Sequence, residues 1–253
     1  MASRAIAAAG ASVLLVIALA ICLSCDSAAA RPCSRGTFRV GIDIGHSPAE
    51  PGARSATGKF EYEFNRRFAE ETIERAKASS ALQLVLLNPS AQRVGLVQRP
   101  QEAARRDVDL LLSIHHDSAN KKYMRKWEHN GRVLEYTDAF RGFSLFVWDE
   151  GPHFKQSMAI ATLIGKYLRS AGVAPTLHHA EPIPGENRQL LNREFGVYAA
   201  PFAVLKHATM PAALLEVGVI ANRAEERDLE EPSYRARLQS EVLNALADYC
   251  SRK

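Results

Sequence analysis

The sequence lacks several features that would place it in a specialised class of protein. It has only four cysteines in 253 residues, no internal repeat and no low-complexity linker. No segment reaches the roughly 20 consecutive apolar residues that a transmembrane helix needs. No run of basic residues is interleaved with aromatic ones, so nucleic acid is not an expected partner. A repeat protein, a multispanning membrane protein and a nucleic-acid-binding protein are therefore disfavoured.

The remaining composition is that of an ordinary folded domain. Apolar residues make up 47% of the chain and charged residues 24%, with a formal net charge of +4. The apolar fraction is sufficient for a hydrophobic core. The small positive charge is compatible with work near an anionic polymer, and a chance excess of arginine would explain it equally well.

The first thirty residues resemble an export signal. Arg4 supplies a positive charge, residues 11–23 are apolar, and residues 28–30 are three alanines. This order of charge, apolar run and small residues is typical of a cleaved signal peptide. We therefore expect residues 1–30 to be removed and residues 31–253 to form one catalytic domain outside the cytoplasm, in the periplasm or the medium. The alternative is an uncleaved membrane anchor.

Two cysteines, Cys33 and Cys250, remain after removal of the signal, one near each end of the chain. An even number of cysteines in an exported protein favours a disulfide. The two chain ends of a domain often lie close together. The sequence thus predicts a bridge between the first strand and the last helix, with two separate thiols as the alternative.

Helical and strand patterns alternate along the mature chain. Such alternation predicts an α/β fold with a mostly parallel sheet covered on both faces. Two polar segments interrupt it: residues 117–141 form an insert or hairpin, and residues 178–193 a surface loop. The predicted strands are 38–44, 82–87, 110–114, 142–148 and 213–217, and the predicted helices are 60–78, 94–106 (interrupted or restarted at Pro100), 154–171 and 234–249.

Four potential metal-binding or proton-transferring residues lie at the ends of these elements. His46 follows the first strand, Glu61 opens the first helix, His115 ends the strand 110–114, and Glu216 lies in the last strand. In α/β sheets, ligands bind where strands end and loops begin. Two imidazoles and one carboxylate are a common catalytic zinc set, which would leave Glu216 as a general base.

Each of these residues also has a plain structural explanation. No H-E-x-x-H motif is present, so a metal site would require distant segments to converge. Glu61 would be favourable at a helix N-terminus without any metal. Glu216 is the most informative of the four, because a carboxylate in an apolar strand is costly unless it is paired or used.

Five short sequence blocks, taken together, resemble the zinc-dependent N-acetylmuramoyl-L-alanine amidase family, in its type 3 catalytic domain. The family pattern D-x-G-H-G corresponds to D-I-G-H-S here, and its P-G-A is present unchanged. The glutamate four residues before an asparagine is Glu61 before Asn65. The remaining two blocks, S-I-H-A-N and M-P-A-x-L-x-E-x-G-F-I-S-N, correspond to residues 113–117 and 210–222.

The resemblance implies a fold, a cofactor and a reaction. The fold is a single three-layer sandwich in which helices cover both faces of a twisted, mainly parallel sheet. Carried over by position, His46, Glu61 and His115 are ligands of Zn²⁺, and Glu216 is the catalytic carboxylate. The implied reaction is cleavage, by zinc-activated water, of the amide bond between N-acetylmuramic acid and L-alanine of the peptidoglycan stem peptide.

The sequence departs from the family pattern beside these residues. Ser47 replaces a glycine, and His116 and Asp117 replace Ala-Asn. Side chains alternate along a strand, so His116 should point away from His115 and be a poor ligand. Glu63 competes with Glu61, although the offset to Asn65 favours Glu61. The remaining candidates fit loop or strand positions better than ligand positions: His178, His179 and His207.

Two alternative functions remain open at this point. A zinc carboxypeptidase or peptidase would use the same metal chemistry on another amide of the stem peptide. A non-catalytic wall-binding regulator would carry a degenerate active site without enzymatic activity. The insert at residues 117–141 fits a substrate groove, a lid or partner-binding segment, or a loop without a role. We expect peptidoglycan as the substrate, a monomeric chain and, as a further partner, a regulatory activator protein.

Overall fold

The computed structural model describes residues 38–77, 82–89, 94–184 and 186–252. The predicted signal peptide and Cys33 lie outside the described residues, so export and the bridge between Cys33 and Cys250 stay predictions. Cys250 is itself disulfide-bonded. No helix in the described ranges is both long and apolar enough to cross a membrane.

Strands and helices alternate over most of the described chain. Nine strands are present in these ranges: β1 Arg39–Ile44, β2 Gln83–Leu86, β3 Leu110–Asp117, β4 Arg125–His129, β5 Arg132–Tyr136, β6 Ser144–Val147, β7 Leu190–Asn192, β8 Val197–Ala199 and β9 Ala212–Val219. The α-helices are α1 Glu61–Lys77, α2 Gln98–Arg105, α3 Phe154–Ser170, α4 Ala203–Lys206, α5 Arg223–Glu230 and α6 Pro232–Ser251.

Seven strands form one mixed sheet in the order β2-β1-β3-β9-β6-β8-β7. The pairs β1–β2, β1–β3, β3–β9 and β6–β8 are parallel. The pairs β6–β9 and β7–β8 are antiparallel. The prediction of a mainly parallel sheet is therefore confirmed, with antiparallel pairing confined to one half.

Helices cover both faces of this sheet. On one face, α1, α3 and α6 pack against one set of strand residues, which includes Ile42, Leu112 and Leu215. On the other face, α2 and α4 pack against the alternate set, which includes Leu111, Phe146 and Leu214. Alternation of side chains along each strand assigns every residue to one layer. The three-layer sandwich expected from the sequence is confirmed.

Two segments differ from the sequence-based expectation. The strand predicted at 110–114 continues to Asp117, so the polar insert begins one residue later than expected, and its core is a separate two-stranded sheet of β4 and β5. The segment 178–193, predicted as a loop, contains a 3₁₀ turn at His178–Ala180 and the short strand β7. Elements of three or four residues are too short to show a hydrophobic period.

The order of the sheet determines where a site can form. The strands β1, β3 and β9 are neighbours and run parallel, so their carboxyl ends meet at one edge. Loops that leave this edge carry the residues quoted above from three distant parts of the sequence. A crevice beyond the carboxyl ends of parallel strands is the usual ligand site of such folds.

Candidate metal centre

His46 lies two residues beyond β1, in a turn with a positive backbone angle of φ 66°. A residue other than glycine is unusual in this left-handed backbone conformation, which must be stabilised by its surroundings. Arg99 provides it, since its Nη2 donates to the carbonyl oxygen of His46 at 2.6 Å. Asn88 accepts from the amide of Ile44 and donates to its carbonyl, both at 2.8 Å. The imidazole of His46 is thereby held at the edge of the sheet.

The structure brings His46, Glu61 and His115 into one cluster. Nε2 of His46 lies 3.0 Å from Oε2 of Glu61. Nδ1 of His115 lies 3.0 Å from the other oxygen of the same carboxylate, Oε1. One ligand atom from each residue lies within 4.8 Å of the other two. The carboxylate thus bridges the two imidazoles.

Glu61 is fixed by several donors besides the histidines. It is the first residue of α1 and is only 5% exposed. Asn65 Nδ2, one helical turn later, donates to Oε1 at 3.1 Å, and the amide of Ala53 donates to Oε2 at 3.1 Å. The amide of His116 adds a longer contact of 3.3 Å. Glu61 therefore has one defined orientation.

The electrostatics favour an ionised carboxylate at Glu61. Burial acts to raise its pKa, but hydrogen bonds from His115 and His46 outweigh it and hold the pKa well below its ordinary value. Burial likewise acts to lower the pKa of His46, and the contact with Glu61 more than compensates, so that pKa is raised. A stable anion beside two imidazoles is the charge distribution that attracts a divalent cation.

Two glycines make room for the cluster. A Cβ placed on Gly45 would lie 2.4 Å from Nε2 of His115. A Cβ on Gly52 would lie 2.4 Å from Oε2 of Glu61, and Gly52 also has a positive φ of 78°. No side chain fits at such distances without displacing a ring or a carboxylate. The glycines of D-I-G-H and P-G-A are thus part of the geometry of the cluster.

The two competing residues quoted from the sequence point elsewhere. Glu63 accepts a hydrogen bond from the amide of Phe60 at 3.1 Å and so caps the start of α1. His116 points to the opposite face of β3, as alternation predicts, where its Nδ1 donates to Oδ1 of Asn65 at 2.8 Å. Burial lowers the pKa of His116 to about 3, so it remains a neutral hydrogen-bond donor.

Glu216 lies beside the cluster on the neighbouring strand. Its Cα is paired in register with that of His115. Its Oε2 is buried and makes no hydrogen bond within the described ranges. Burial raises the pKa of Glu216 well above its ordinary value, and the carboxylates of Asp117 and Glu61 raise it further. A buried carboxyl oxygen without a hydrogen-bond partner destabilises a folded protein, so its presence indicates a functional role.

The three remaining histidines considered as ligands from the sequence lie outside the cluster of His46, Glu61 and His115. His178 and His179 lie in the 3₁₀ turn, next to Asp117 at the end of β3. His207 follows α4 and is exposed. The fit of His207 to a loop position agrees with its placement. No sequence pattern indicated that His178 and His179 would lie beside Asp117.

Sequence reasoning missed the residues that support the cluster. Arg99, in α2, forms a buried ion pair with Asp43 at 2.9 Å and also holds the turn at His46. A carboxylate in the middle of a buried strand indicates that a partner must exist. Nothing in the local sequence identifies Arg99 as that partner, because 56 positions separate the two residues.

The hairpin of β4 and β5 packs near this edge. Nε1 of Trp127 donates to the carbonyl of Ala56, in the loop between β1 and α1, at 2.9 Å. The guanidinium of Arg223 lies 3.9 Å from the ring centre of Tyr136 and 5.3 Å from that of Trp127. An open groove of about 830 Å³ runs along this surface. Its walls carry Trp127 and charges of both signs: Lys59, Arg141, Arg223, Asp138, Glu226 and Glu230.

The geometry of the cluster fits a metal ion. Catalytic zinc sites use three protein ligands, and a set of two histidines and one glutamate is well known among them. Tetrahedral ligands at about 2.0–2.1 Å from zinc lie roughly 3.3 Å from one another. The two nitrogen–oxygen distances, each to a different oxygen of Glu61, are 3.0 Å and close to that spacing. His46, Glu61 and His115 therefore suit a divalent ion with one position left open.

Comparisons with known proteins agree with these observations. The sequence profile of the family described as N-acetylmuramoyl-L-alanine amidase matches residues 40–248. The chain is 24% identical to the N-acetylmuramoyl-L-alanine amidase LytC of Bacillus subtilis over 208 residues, which are 82% of this chain and 34% of LytC. It is 23% identical to the probable amidase AmiB of Haemophilus influenzae over 232 residues, 85% of this chain and 52% of AmiB.

The chain thus spans about a third to a half of the length of these curated relatives. Among solved structures, the catalytic domain of CwlV, an N-acetylmuramoyl-L-alanine amidase from Bacillus (Paenibacillus) polymyxa var. colistinus, superposes with a TM-score of 0.64. The superposition covers 85% of this chain and 99% of that one, at 23% identity. The similarity in structure supports the fold.

Proposed function

The chain belongs to the N-acetylmuramoyl-L-alanine amidase family, and on that basis we propose that it is a zinc-dependent cell-wall hydrolase. The bond cleaved is the amide between the lactyl group of N-acetylmuramic acid and L-alanine of the stem peptide. The observation that carries the proposal is the convergence of His46, Glu61 and His115 beside Glu216, within the segment that matches the family.

His46, Glu61 and His115 hold the metal ion. When bound, zinc supplies a Lewis acid that polarises a carbonyl and lowers the pKa of water toward neutrality. Glu61 contributes the negative charge, and Asn65 keeps its carboxylate from rotating away from the histidines. Gly45 and Gly52 allow the ring of His115 and the carboxylate of Glu61 to approach the backbone closely.

Glu216 moves the proton. Its Oε2 accepts a proton from the attacking water and passes it to the leaving amine of L-alanine, which would otherwise depart as an unstable anion. The buried, unpartnered Oε2 supports this role, because no hydrogen bond to a described residue competes for it. The pairing in register of Glu216 on β9 with His115 on β3 supports a carboxylate beside the proposed ligands.

We also propose that the hairpin of β4 and β5 lines the substrate groove. Trp127 offers a face for the sugar rings of peptidoglycan, and the groove also carries Lys59, Arg141 and Arg223, which form ion pairs with Glu230, Asp228 and Asp138. Deletion of residues 121–136 tests this role. Lower hydrolysis of cell wall supports a groove, higher hydrolysis would indicate a lid, and unchanged hydrolysis would indicate no role.

The place of action and the partners follow from the same proposal. A cell-wall hydrolase works outside the cytoplasm, in agreement with the predicted signal at residues 1–30. The substrate partner is peptidoglycan, the chain is expected to act as a monomer, and a regulatory activator protein stays a prediction.

One experiment separates this activity from its alternatives. Purified protein is incubated with cell-wall sacculi, with and without a chelator, and the products are identified by mass spectrometry. An amidase releases intact stem peptides that begin with L-alanine and leaves the glycan chains unsubstituted. Shortened stem peptides would indicate a peptidase. Absence of any product from metal-loaded protein would indicate a non-catalytic module.

A further inference from the structure

A second group of potential metal ligands lines a cavity together with Glu216. Asp117 ends β3, and His178 and His179 form the 3₁₀ turn that follows α3. Oδ2 of Asp117 lies 2.7 Å from Nε2 of His179 and 3.4 Å from Nε2 of His178. One ligand atom from each residue lies within 4.8 Å of the others. We propose that these three residues bind a second divalent metal ion, Zn²⁺ by the chemistry of the ligands, separately from His46, Glu61 and His115.

The ligand atoms are oriented by contacts at their other ends. Nδ1 of His178 lies 2.7 Å from Oγ1 of Thr176, and the ring of Phe140 stacks on His178 at 4.7 Å. The second oxygen of Asp117, Oδ1, accepts from the amide of Ser118 at 2.7 Å. Outer hydrogen bonds of this kind fix the ring orientation of metal-binding histidines. Nε2 of His178 and Oδ2 of Asp117 are thereby directed toward a common point.

The ligand set matches zinc in composition and charge. Two imidazoles and one carboxylate from three residues leave room for a fourth ligand, as in open zinc sites. His178 is buried and His179 is mostly buried, so a bound ion would be shielded from bulk water. The related sequence motif has an asparagine where this chain has Asp117. An asparagine would supply no negative charge, so the anionic ligand is a feature of this chain.

Glu216 provides an independent indication of a cation at this position. It lines the same cavity of about 290 Å³ as Asp117, His178 and His179. Its buried Oε2 has no hydrogen-bond partner within the described ranges. Two acids that repel each other in a buried cavity are stabilised by a positive ion between or beside them.

The stoichiometry of zinc binding tests the second site. Untagged protein is freed of metal, titrated with Zn²⁺ and analysed by calorimetry and elemental analysis. We expect two equivalents for the unchanged chain and one for His179→Ala and for the nearly isosteric Asp117→Asn. The matched control His207→Ala, which removes an exposed histidine outside both groups, should keep two. Circular dichroism before metal addition verifies that each variant is folded.

A variant of the first site makes the two sites distinguishable. His46→Ala should also bind one equivalent, and the double variant His46→Ala with His179→Ala should bind none. Saturation of the unchanged chain at a single equivalent that is lost in His46→Ala would overturn the second site and leave the first intact. Two equivalents that persist in both His179→Ala and Asp117→Asn would overturn it as well. In either case the pair of Asp117 and His179 would be a hydrogen bond without a metal.

Discussion

The guanidinium of Arg99 and the carboxylate of Asp43 form an ion pair of 2.9 Å in which both side chains are buried. Arg99 also donates to the carbonyl oxygens of Ile44 and His46. One side chain of α2 thus neutralises a charge inside β1 and supports the turn that carries a proposed metal ligand. The ion pair links the stability of the fold to the geometry of the site.

Replacement of Arg99 by methionine should therefore affect both the stability of the fold and the geometry of the proposed metal site. Removal of one partner leaves the carboxylate of Asp43 buried and unpaired, which typically costs about 3–5 kcal/mol. We expect the free energy of unfolding in urea to fall by that amount and the zinc affinity to weaken. Arg105→Met, in the same helix but with a side chain that is 64% exposed, should change stability by less than about 0.5 kcal/mol. Equal effects of the two substitutions would contradict the role of the buried pair.

Gly45→Ala should impair metal binding through a steric effect alone. The new Cβ would lie 2.4 Å from Nε2 of His115, so the ring has to move away from Glu61. We expect a loss of zinc affinity of at least tenfold, measured by competition with a chelating dye. At Gly95 a new Cβ would approach only the flexible end of Gln98, at 3.2 Å, so Gly95→Ala is the control. Unchanged zinc affinity in Gly45→Ala would show that zinc binding does not require His115 in its observed position.

Glu61→Gln and Glu63→Gln should separate two acids that the sequence alone cannot rank with certainty. Glu61 bridges the two histidines, so loss of its charge should remove metal from the first site and abolish hydrolysis. Glu63 caps α1, where glutamine can accept the same hydrogen bond from the amide of Phe60. Replacement of Glu63 should therefore leave metal content and hydrolysis unchanged. Elemental analysis and a sacculus digestion assay measure the two outcomes. The reverse result would assign the ligand to Glu63.

Glu216→Gln should abolish turnover while the first site retains its metal. The substitution keeps the size of the side chain and removes its capacity to accept a proton. General acid–base catalysis typically contributes 10²–10⁴-fold, and we expect a loss of at least about this size in the rate of stem-peptide release. Zinc content, measured on the same sample, should match that of the unchanged chain at the first site. Loss of that zinc would instead make Glu216 a ligand.

Glu225 should make stability depend on pH. Burial raises its pKa to about 7, against the opposing effect of hydrogen bonds from the amides of Gly142 and Val219. A group whose pKa is higher in the folded state favours folding below its unfolded value of about 4.5, and this contribution is lost as the pH rises through 7. We expect the unchanged chain to lose roughly 3 kcal/mol of stability from this group between pH 4.5 and pH 8.

The variant Glu225→Gln isolates this contribution. With its amide oxygen at the Oε2 position, glutamine still accepts from the amides of Gly142 and Val219, and it does not ionise. The stability of the variant should therefore fall less steeply over the same pH range. The difference in the free energy of unfolding between the two proteins, measured in urea at several pH values, reports on Glu225 alone. Parallel pH profiles for the two proteins would mean that Glu225 does not titrate in this range.

The sequence predicted the main elements because their signals are local. The long helices α1, α3 and α6 and the strands β1, β2, β3, β6 and β9 lie within a few residues of the ranges expected from apolar spacing. The strands β7 and β8 and the helix α4 were missed because three or four residues cannot show a period. The helix α5 was missed as well, since its eight residues include only one large apolar side chain, Leu229. The antiparallel pairing of β6 with β9 was missed too, since strand direction depends on the path of the connecting segments.

The sequence by itself determined which residues could carry the chemistry. Local sequence features specified the family and the candidate ligands. These features are the order of the motifs, the glycines beside His46 and Glu61, and a carboxylate inside an apolar strand. Only the tertiary structure decided how these residues meet. It brought Arg99 to Asp43, 56 positions away, and grouped Asp117 with His179, 62 positions away, and with the adjacent His178. Contacts at such separations arise from the packing of strands and loops at one sheet edge, and no local pattern of residues encodes them.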